Sequence, residues 1–538
     1  MAKPRELLGR PAAPGIATGP LFRLAGDAIA AGDTGKEGAA GDAGGLVRAI
    51  AAAIADLRAL AARADDDGAE ILEFQIAMLE DPALREPALD AIGAGAPVPR
   101  AWRDALDRQI AGYADAADDY FRARAADLTD LRDRVLGRLA GDGAAVAAPR
   151  GAILLGEDLM PSRFLEIDWS GGGGIALAGG SPASHVAMLA RARGVPMVVG
   201  LGMPAAAVDA GAQAAIDGTA GRVILHPTEA QLAELAGRRA AAAAARLADS
   251  LAAREPAVTA DGTPISIMIN IADPAELEGL DPGLCDGIGL VRTELLFHGA
   301  GGLPDEDRQY AAYRRILEWA AGRPVTIRTL DAGGDKPIPG LTVRGEANPF
   351  LGVRGIRLSL ARPEIFAVQL RALARAAMHG ALKVMLPMIT VPRELDAARA
   401  LFAAEVARLE AAGTAARLPP LGMMVEVPAA ALAIADFDAA FFSIGSNDLI
   451  QYTTASARDS NAVAALADPQ NPAVLRLIGE VACYGATAGR EVSLCGDMAG
   501  DPAHLPALLA AGLRTLSVAP GALAAVKAAV HRERANHG

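Results

Sequence analysis

From Pro256 onward, short apolar runs alternate with helix-like stretches, and no other feature of the sequence narrows the fold as much. The runs occupy 265–271, 287–292, 325–329, 382–387, 421–426, 441–445, 491–495 and 515–518. Each is too short for a buried helix and is bounded by turn residues, the pattern of a strand covered on both faces. Eight such units in roughly 280 residues match the size of a (β/α)8 barrel of TIM type. Residues 348–357 are extra material after the third run.

A barrel of this kind places its chemistry at the C-terminal ends of its strands. Arg292 follows the second run, Arg328 lies in the third, Glu426 closes the fifth, Asn447 and Asp448 follow the sixth, and Cys495 closes the seventh. These residues are distant in the chain, yet the fold would gather them at one mouth. The arginines offer planar, permanently charged forks for phosphate or carboxylate, and Arg354 and Arg458 are further candidates on loops. Glu426 and Asp448 suit Mg2+, which takes oxygen ligands and keeps part of its shell for water and substrate. Ordinary ion pairing among these arginines and acids is the competing reading. Cys495 alone would be a core residue; beside an anion site it becomes a candidate proton donor.

A second centre lies upstream, in Gly179-Gly180-Ser181-Pro182-Ala183-Ser184-His185-Val186-Ala187-Met188-Leu189-Ala190-Arg191. A buried strand is expected before the glycine pair, and helical spacing begins after Ser184, so His185 falls in the first turn of a helix. Unsatisfied N–H groups and the helix dipole there disfavour imidazolium and welcome an anion. A neutral imidazole at such a place suits acceptance of a phosphoryl group. Taken alone, a histidine of this kind is more often structural, and only the anion-binding barrel gives it something to react with.

Around this stretch, 152–155, 175–178, 197–199, 214–216 and 222–225 read as strands of a compact α/β domain. Residues 9–22, dense in turn formers, can add a strand or two. Helical periodicity runs through 46–62, 69–79, 101–117 and 120–139, with breaks at Asp81-Pro82 and between Gly93 and Pro99. This bundle reads as an insertion into the α/β domain, either a scaffold or a docking surface for a partner protein. Alanine-rich 228–254 should form one helix of roughly 40 Å. The expected organisation is thus an α/β domain of 1–30 and 144–226, a helical subdomain of 31–143, a linker helix of 227–256 and a barrel of 257–538.

Composition closes off several function classes. The net charge of −13 disfavours nonspecific nucleic-acid binding. The three cysteines, Cys285, Cys483 and Cys495, form no C-x-x-C pair, which argues against a disulfide framework or structural zinc. No membrane span and no secretory h-region are visible, so a cytoplasmic protein without membrane insertion is expected.

The motifs together closely resemble the phosphoenolpyruvate-protein phosphotransferases, enzyme I of the bacterial sugar phosphotransferase system. Carrying the resemblance are 179–191, Val291-Arg292-Thr293-Glu294, 328–336, 348–354, Met424-Val425-Glu426-Val427-Pro428, 446–458 and Cys495-Gly496-Asp497-Met498-Ala499-Gly500, in order through nearly the whole chain. It implies a swivelling phosphohistidine α/β domain with an inserted HPr-docking bundle, followed by a phosphoenolpyruvate-binding (β/α)8 barrel. His185 would take the phosphoryl group of phosphoenolpyruvate and pass it to a histidine of HPr. Arg292, Arg328, Arg354, Asn447, Asp448 and Arg458 would hold the substrate, Glu426 and Asp448 would bind Mg2+, and Cys495 would protonate the enolpyruvate to give pyruvate. A homodimer through the barrel is also implied. Ala183, Val186 and Ala187 stand where the family often has hydroxyl residues, Ala457 where an acid commonly precedes the arginine, and Asp497 where a glutamate is common. A dikinase or phosphoenolpyruvate synthase would need a nucleotide-binding domain, and the helical N-terminal part shows no glycine-rich phosphate loop. A non-catalytic regulator would not need the full set of mouth residues.

Overall fold

The computed structural model describes residues 4–24, 43–63, 66–114, 119–141, 148–182, 184–202, 211–297, 302–334, 338, 340–343, 345–457 and 463–535. They fall into two units, Met1–Ala243 and Ala244–Gly538.

The first unit is built on a mixed eight-stranded sheet. Its strands are β1 (Arg5–Leu8), β2 (Arg10–Ala13), β3 (Ile16–Arg23), β4 (Ile153–Gly156), β5 (Gly174–Leu177), β6 (Met197–Val199), β7 (Gln213–Asp217) and β8 (Arg222–Leu225), in the order β1-β8-β7-β3-β4-β5-β6-β2. Strand alternation divides two cores: Ile153, Leu155, Ala176 and Val198 face one, Leu154, Ile175, Leu177 and Val199 the other. The second core continues into the bundle through Leu46, Leu57, Leu72, Trp102, Leu106 and Val135. Because the bundle lies in sequence between the paired strands β3 and β4, it is an insertion into the sheet.

Two expectations need correction here. The bundle has five described helices, Ala43–Ala61, Asp66–Glu80, Pro82–Gly93, Val98–Ala114 and Asp119–Ala140, where periodicity marked four. Asp81-Pro82, read as a break, starts the additional one: Asp81 Oδ1 accepts the Ala83 N–H at 2.9 Å, and Pro82 occupies the first helical position. The second is β1, which carries no alternating pattern because only Leu7 of its four residues is buried. The expected helix after β8 is present at Glu229–Ala252, with Leu235 packed on Ala215 and Ile224 and Arg238 paired with buried Asp217 at 2.6 Å.

The second unit is a closed barrel of eight parallel strands, β9 (Ser266–Ile271), β10 (Ile288–Val291), β11 (Val325–Arg328), β12 (Leu382–Leu386), β13 (Leu421–Val425), β14 (Phe441–Gly445), β15 (Glu491–Cys495) and β16 (Thr515–Val518). Each coincides with an expected run to within one or two residues at either end. Leu290, Met385, Met424, Phe441 and Cys495 pack together as one cluster inside the barrel. Gly422 makes room for Phe441, since a Cβ there would lie 2.5 Å from the ring. Outside, Tyr313, Phe366, Phe402 and Val481 seal the strands under their helices. Among the described residues no helix is long and apolar enough to cross a membrane.

Candidate active site

Barrel closure brings most of the expected mouth residues together. Arg328 ends β11, Cys495 ends β15, Glu426 follows β13, and Asn447 and Asp448 open the helix Ser446–Thr454 after β14. Arg354 lies on the loop before the helix Ile356–Ala361 and is fully buried. Arg292, just past β10, is exposed and lines an open cleft with Asn270, Glu276, Gly496, Asp497 and Asp501. Arg458 and Ala457's successors to 462 lie outside the described residues.

The two buried arginines are countered by acids, so the ion pairing set out above as the alternative is present within the site itself. Arg354 donates from Nε and Nη2 to Asp331 at 3.1 and 3.0 Å, and from Nη1 and Nη2 to Asp448 at 3.1 and 2.9 Å. Nη1 also donates to the Tyr452 hydroxyl at 3.2 Å. All five guanidinium N–H groups are thereby engaged. Arg328 donates to Glu294 at 2.9 Å and lies 3.4 Å from Asp331, while its Nε–H is buried with no partner among the described residues. Burial opposes charge on both guanidiniums, but the adjoining carboxylates outweigh it and push both pKa values up.

Carboxylates are in excess. Burial, together with Asp448 and Asp331, pushes the Glu426 carboxyl up to about 7. Glu426 accepts the Met388 N–H at 2.6 Å, and Met388 holds a left-handed φ of 59° to present it. This crowding of acids is a physical reason for a cation. Among the described residues no three His, Cys, Asp or Glu side chains converge as a ready-made metal site. A pair of carboxylates nevertheless fits Mg2+, which commonly completes its shell with water and substrate oxygens.

Cys495 is buried in the interior cluster and hydrogen-bonded to Ser443 at 3.6 Å and the Ile444 carbonyl at 3.5 Å. Burial pushes its thiol pKa up, and Arg328, Glu426 and Arg292 all lie within electrostatic reach of it. The sulfur therefore keeps its proton near neutral pH.

His185 is the first residue of the helix His185–Ala192, with Ser184 as N-cap accepting the Ala187 N–H at 3.3 Å. Arg10 donates to the Gly180 carbonyl at 3.0 Å and Arg191 to those of Ala12 and Pro182 at 2.6 and 2.9 Å, which fixes the loop ahead of the histidine. Burial lowers the imidazole pKa, so the ring is neutral at neutral pH. Val186 and Ala187, two of the positions without a hydroxyl, are packed into the core; Ala183 lies outside the described residues.

Four residues of the mouth were not among the candidates. Glu294 and Asp331 sit inside the motifs named above, but as acids they look like poor partners for an anion, and nothing in their spacing marks them as counter-charges to Arg328 and Arg354. Asp497 was noted only as a departure. Met388 acts through its backbone, for which the sequence carries no signal.

The comparisons with known proteins agree along the chain. Residues 8–124, 148–221 and 247–535 match the N-terminal, mobile and PEP-binding domains of PEP-utilising enzymes. A phosphoenolpyruvate-protein phosphotransferase of Bacillus sp. (strain S) is 38% identical over 96% of this chain and 91% of its own. One from Haloferax volcanii is 39% identical over 87% and 83%. An NMR solution structure of Enzyme I (nEIt) covers 44% of this chain and 98% of its own at 22% identity, with a TM-score of 0.34 that is too low to support an argument. The identities over nearly full length show that the chain belongs to the phosphoenolpyruvate-protein phosphotransferase family of PEP-utilising enzymes.

Proposed function

We propose that this enzyme moves the phosphoryl group of phosphoenolpyruvate to His185 and from there to a histidine of an HPr-type carrier. The observation that carries the reading is the placement of Cys495, a buried thiol at the end of β15 hydrogen-bonded to Ser443 and the Ile444 carbonyl, at the same barrel mouth as Arg328 at the end of β11 and Arg292 just past β10. A proton donor beside an anion site is what an enolate-forming phosphoryl transfer requires. Arg292, Arg328, Arg354, Asn447, Asp448 and Arg458 hold the substrate. The Nε–H of Arg328, without a partner among the described residues, is a donor still available to it, whereas Arg354 has to release an acceptor first. Glu426 and Asp448 hold Mg2+, which when bound neutralises phosphate charge.

The neutral imidazole nitrogen of His185 forms an N–P bond as the enol oxygen–phosphorus bond breaks. The electron pair stays with enolpyruvate, and Cys495 delivers its proton to the methylene carbon, giving pyruvate. Catalysis rests on positioning and charge neutralisation, as for phosphoryl transfer in general. In this reading 1–30 and 144–226 carry the histidine, 31–143 dock the HPr-type protein, 227–256 link, and 257–538 bind phosphoenolpyruvate; the enzyme is a cytoplasmic homodimer through the barrel.

Labelled phosphoenolpyruvate with Mg2+ is expected to leave acid-labile phosphate on a histidine, transferable to HPr, and His185→Ala is expected to abolish it. Labelling that survives the substitution sinks the assignment. ATP-dependent labelling without phosphoenolpyruvate would favour a dikinase instead.

A further inference from the structure

Asp497 presents an anomaly: a carboxylate in the cleft that also contains Arg292, where it repels the anionic substrate proposed above. Its contacts account for it. The backbone N–H of Asp497 donates to Asn447 Oδ1 at 3.0 Å, and Asn447 Nδ2 donates to Asp497 Oδ2 at 3.2 Å. These two bonds run in opposite senses, so they admit only one orientation of the Asn447 carboxamide, with oxygen toward the backbone and nitrogen toward the acid. One Nδ2 hydrogen is then committed to Asp497 and the other is fixed in direction.

The strand ends on either side are joined at the same point. Gly445 of β14 is opposite Cys495 of β15, and Ser446 Oγ donates to the Cys495 carbonyl at 2.9 Å. Gly496, at φ 101°, permits the close approach: a Cβ there would lie 2.3 Å from Ser446 Oγ and 2.8 Å from Asn447 Oδ1. The turn after the proton donor and the turn carrying Asn447 are thus one unit, closed by Asp497.

We propose that Asp497 is a positioning residue, which orients the Asn447 carboxamide for the substrate and ties it to the turn that carries Cys495. The inference rests on the reading of Asn447 as a substrate-holding residue. The bland role for Asp497 is that of an acid in the first turn of the short helix Asp497–Gly500, favoured by the dipole alone. Asp497 is exposed, so its replacement does not threaten the barrel core.

The test is a double-mutant cycle in the full-length enzyme with phosphoenolpyruvate and Mg2+, read beside the side-chain amide resonances of 15N-asparagine-labelled protein. Loss of a hydrogen bond to a charged group is worth roughly tenfold or more. Asp497→Ala is expected to raise KM for phosphoenolpyruvate about tenfold and shift the Asn447 amide signal, while Asp497→Asn, which keeps an acceptor, stays within about threefold. In an Asn447→Ala background Asp497→Ala should raise KM no further. Effects that multiply, or an Asn447 amide signal unmoved by Asp497→Ala, would overturn the positioning role. If the amide signal moves but Asn447→Ala leaves KM unchanged, the substrate role of Asn447 is what fails, and the proposal falls with it.

Discussion

The His185 loop and the barrel mouth handle charge in opposite ways. Around His185 the guanidiniums of Arg10 and Arg191 are bonded to backbone carbonyls, and burial keeps the imidazole itself uncharged. At the mouth, Arg328 and Arg354 face Glu294, Asp331 and Asp448 in a buried network. Under the proposed function the difference follows from what each has to do. A binding site for a polyanion has to hold its arginines in place before the substrate arrives, and buried cations persist only against counter-charges. A carrier has to be neutral to attack and tolerant of charge afterwards, so it is held by neutral backbone bonds. Substitutions at the mouth should therefore disturb stability and activity together, and those at the loop mainly activity.

The sharpest probe of this contrast is Cys495, which sits at the mouth but is kept neutral by burial in the manner of His185. Cys495→Ala is expected to lower kcat for pyruvate formation by about 10²–10⁴-fold, the usual worth of a general acid, with KM for phosphoenolpyruvate little changed. Because burial raises the thiol pKa, parent activity should hold through neutral pH and fall only above the ordinary cysteine range near about 8.5. Steady-state kinetics with a lactate dehydrogenase-coupled readout check both, and unchanged turnover would remove the acid role.

Arg354 probes the paired side of the contrast. Arg354→Ala takes from buried Asp331 and Asp448 the guanidinium that both bond, Asp331 keeping Arg328 at 3.4 Å, which should cost about 3–5 kcal/mol in denaturant unfolding without divalent ions. The sign of its pH dependence is fixed by the acids. Glu426 already has a folded pKa raised to about 7, so its contribution favours folding at low pH and is lost as pH rises through that value. Arg354 is one of the groups that hold the Glu426 carboxyl down, so its removal should push that pKa higher still, and the deficit against the parent should be larger at pH 8 than at pH 5.5. A deficit that shrinks with rising pH would mean that Glu426 is not held down by Arg354.

What could be read from sequence divides along the same physical line. Barrel strands are buried on both faces, so their apolar runs stand out, and the closure rule then places Arg328, Glu426, Asp448 and Cys495 without any side-chain knowledge. Counter-charges were invisible in function terms: Glu294 and Asp331 look like poor partners for an anion until Arg328 and Arg354 are seen to need them while buried. Backbone devices were invisible outright. Nothing in the sequence shows that Met388 takes a left-handed φ to reach Glu426, and β1 buries too little to show alternation. At Asp81-Pro82 the residues were legible but ambiguous, since a cap and a break use the same residue types.

The smallest effect is expected at the loop, where Ser184 holds the first turn beneath His185. Ser184→Ala removes the acceptor for the Ala187 N–H, a loss of about 0.5–2 kcal/mol that is confined to the helix end. Burial sets the folded pKa of His185 below the unfolded value of about 6.5, so its contribution to stability is intact above that pH and is lost as pH falls toward the folded pKa. Fraying the first turn exposes the ring, and its pKa should rise toward the unfolded value. Titration of 15N-histidine-labelled protein by NMR reads this directly, beside a fall of a few-fold in the rate of phosphohistidine formation and no change in barrel unfolding. A His185 pKa that stays where it was in Ser184→Ala would show that the cap does not maintain the burial that keeps the imidazole neutral.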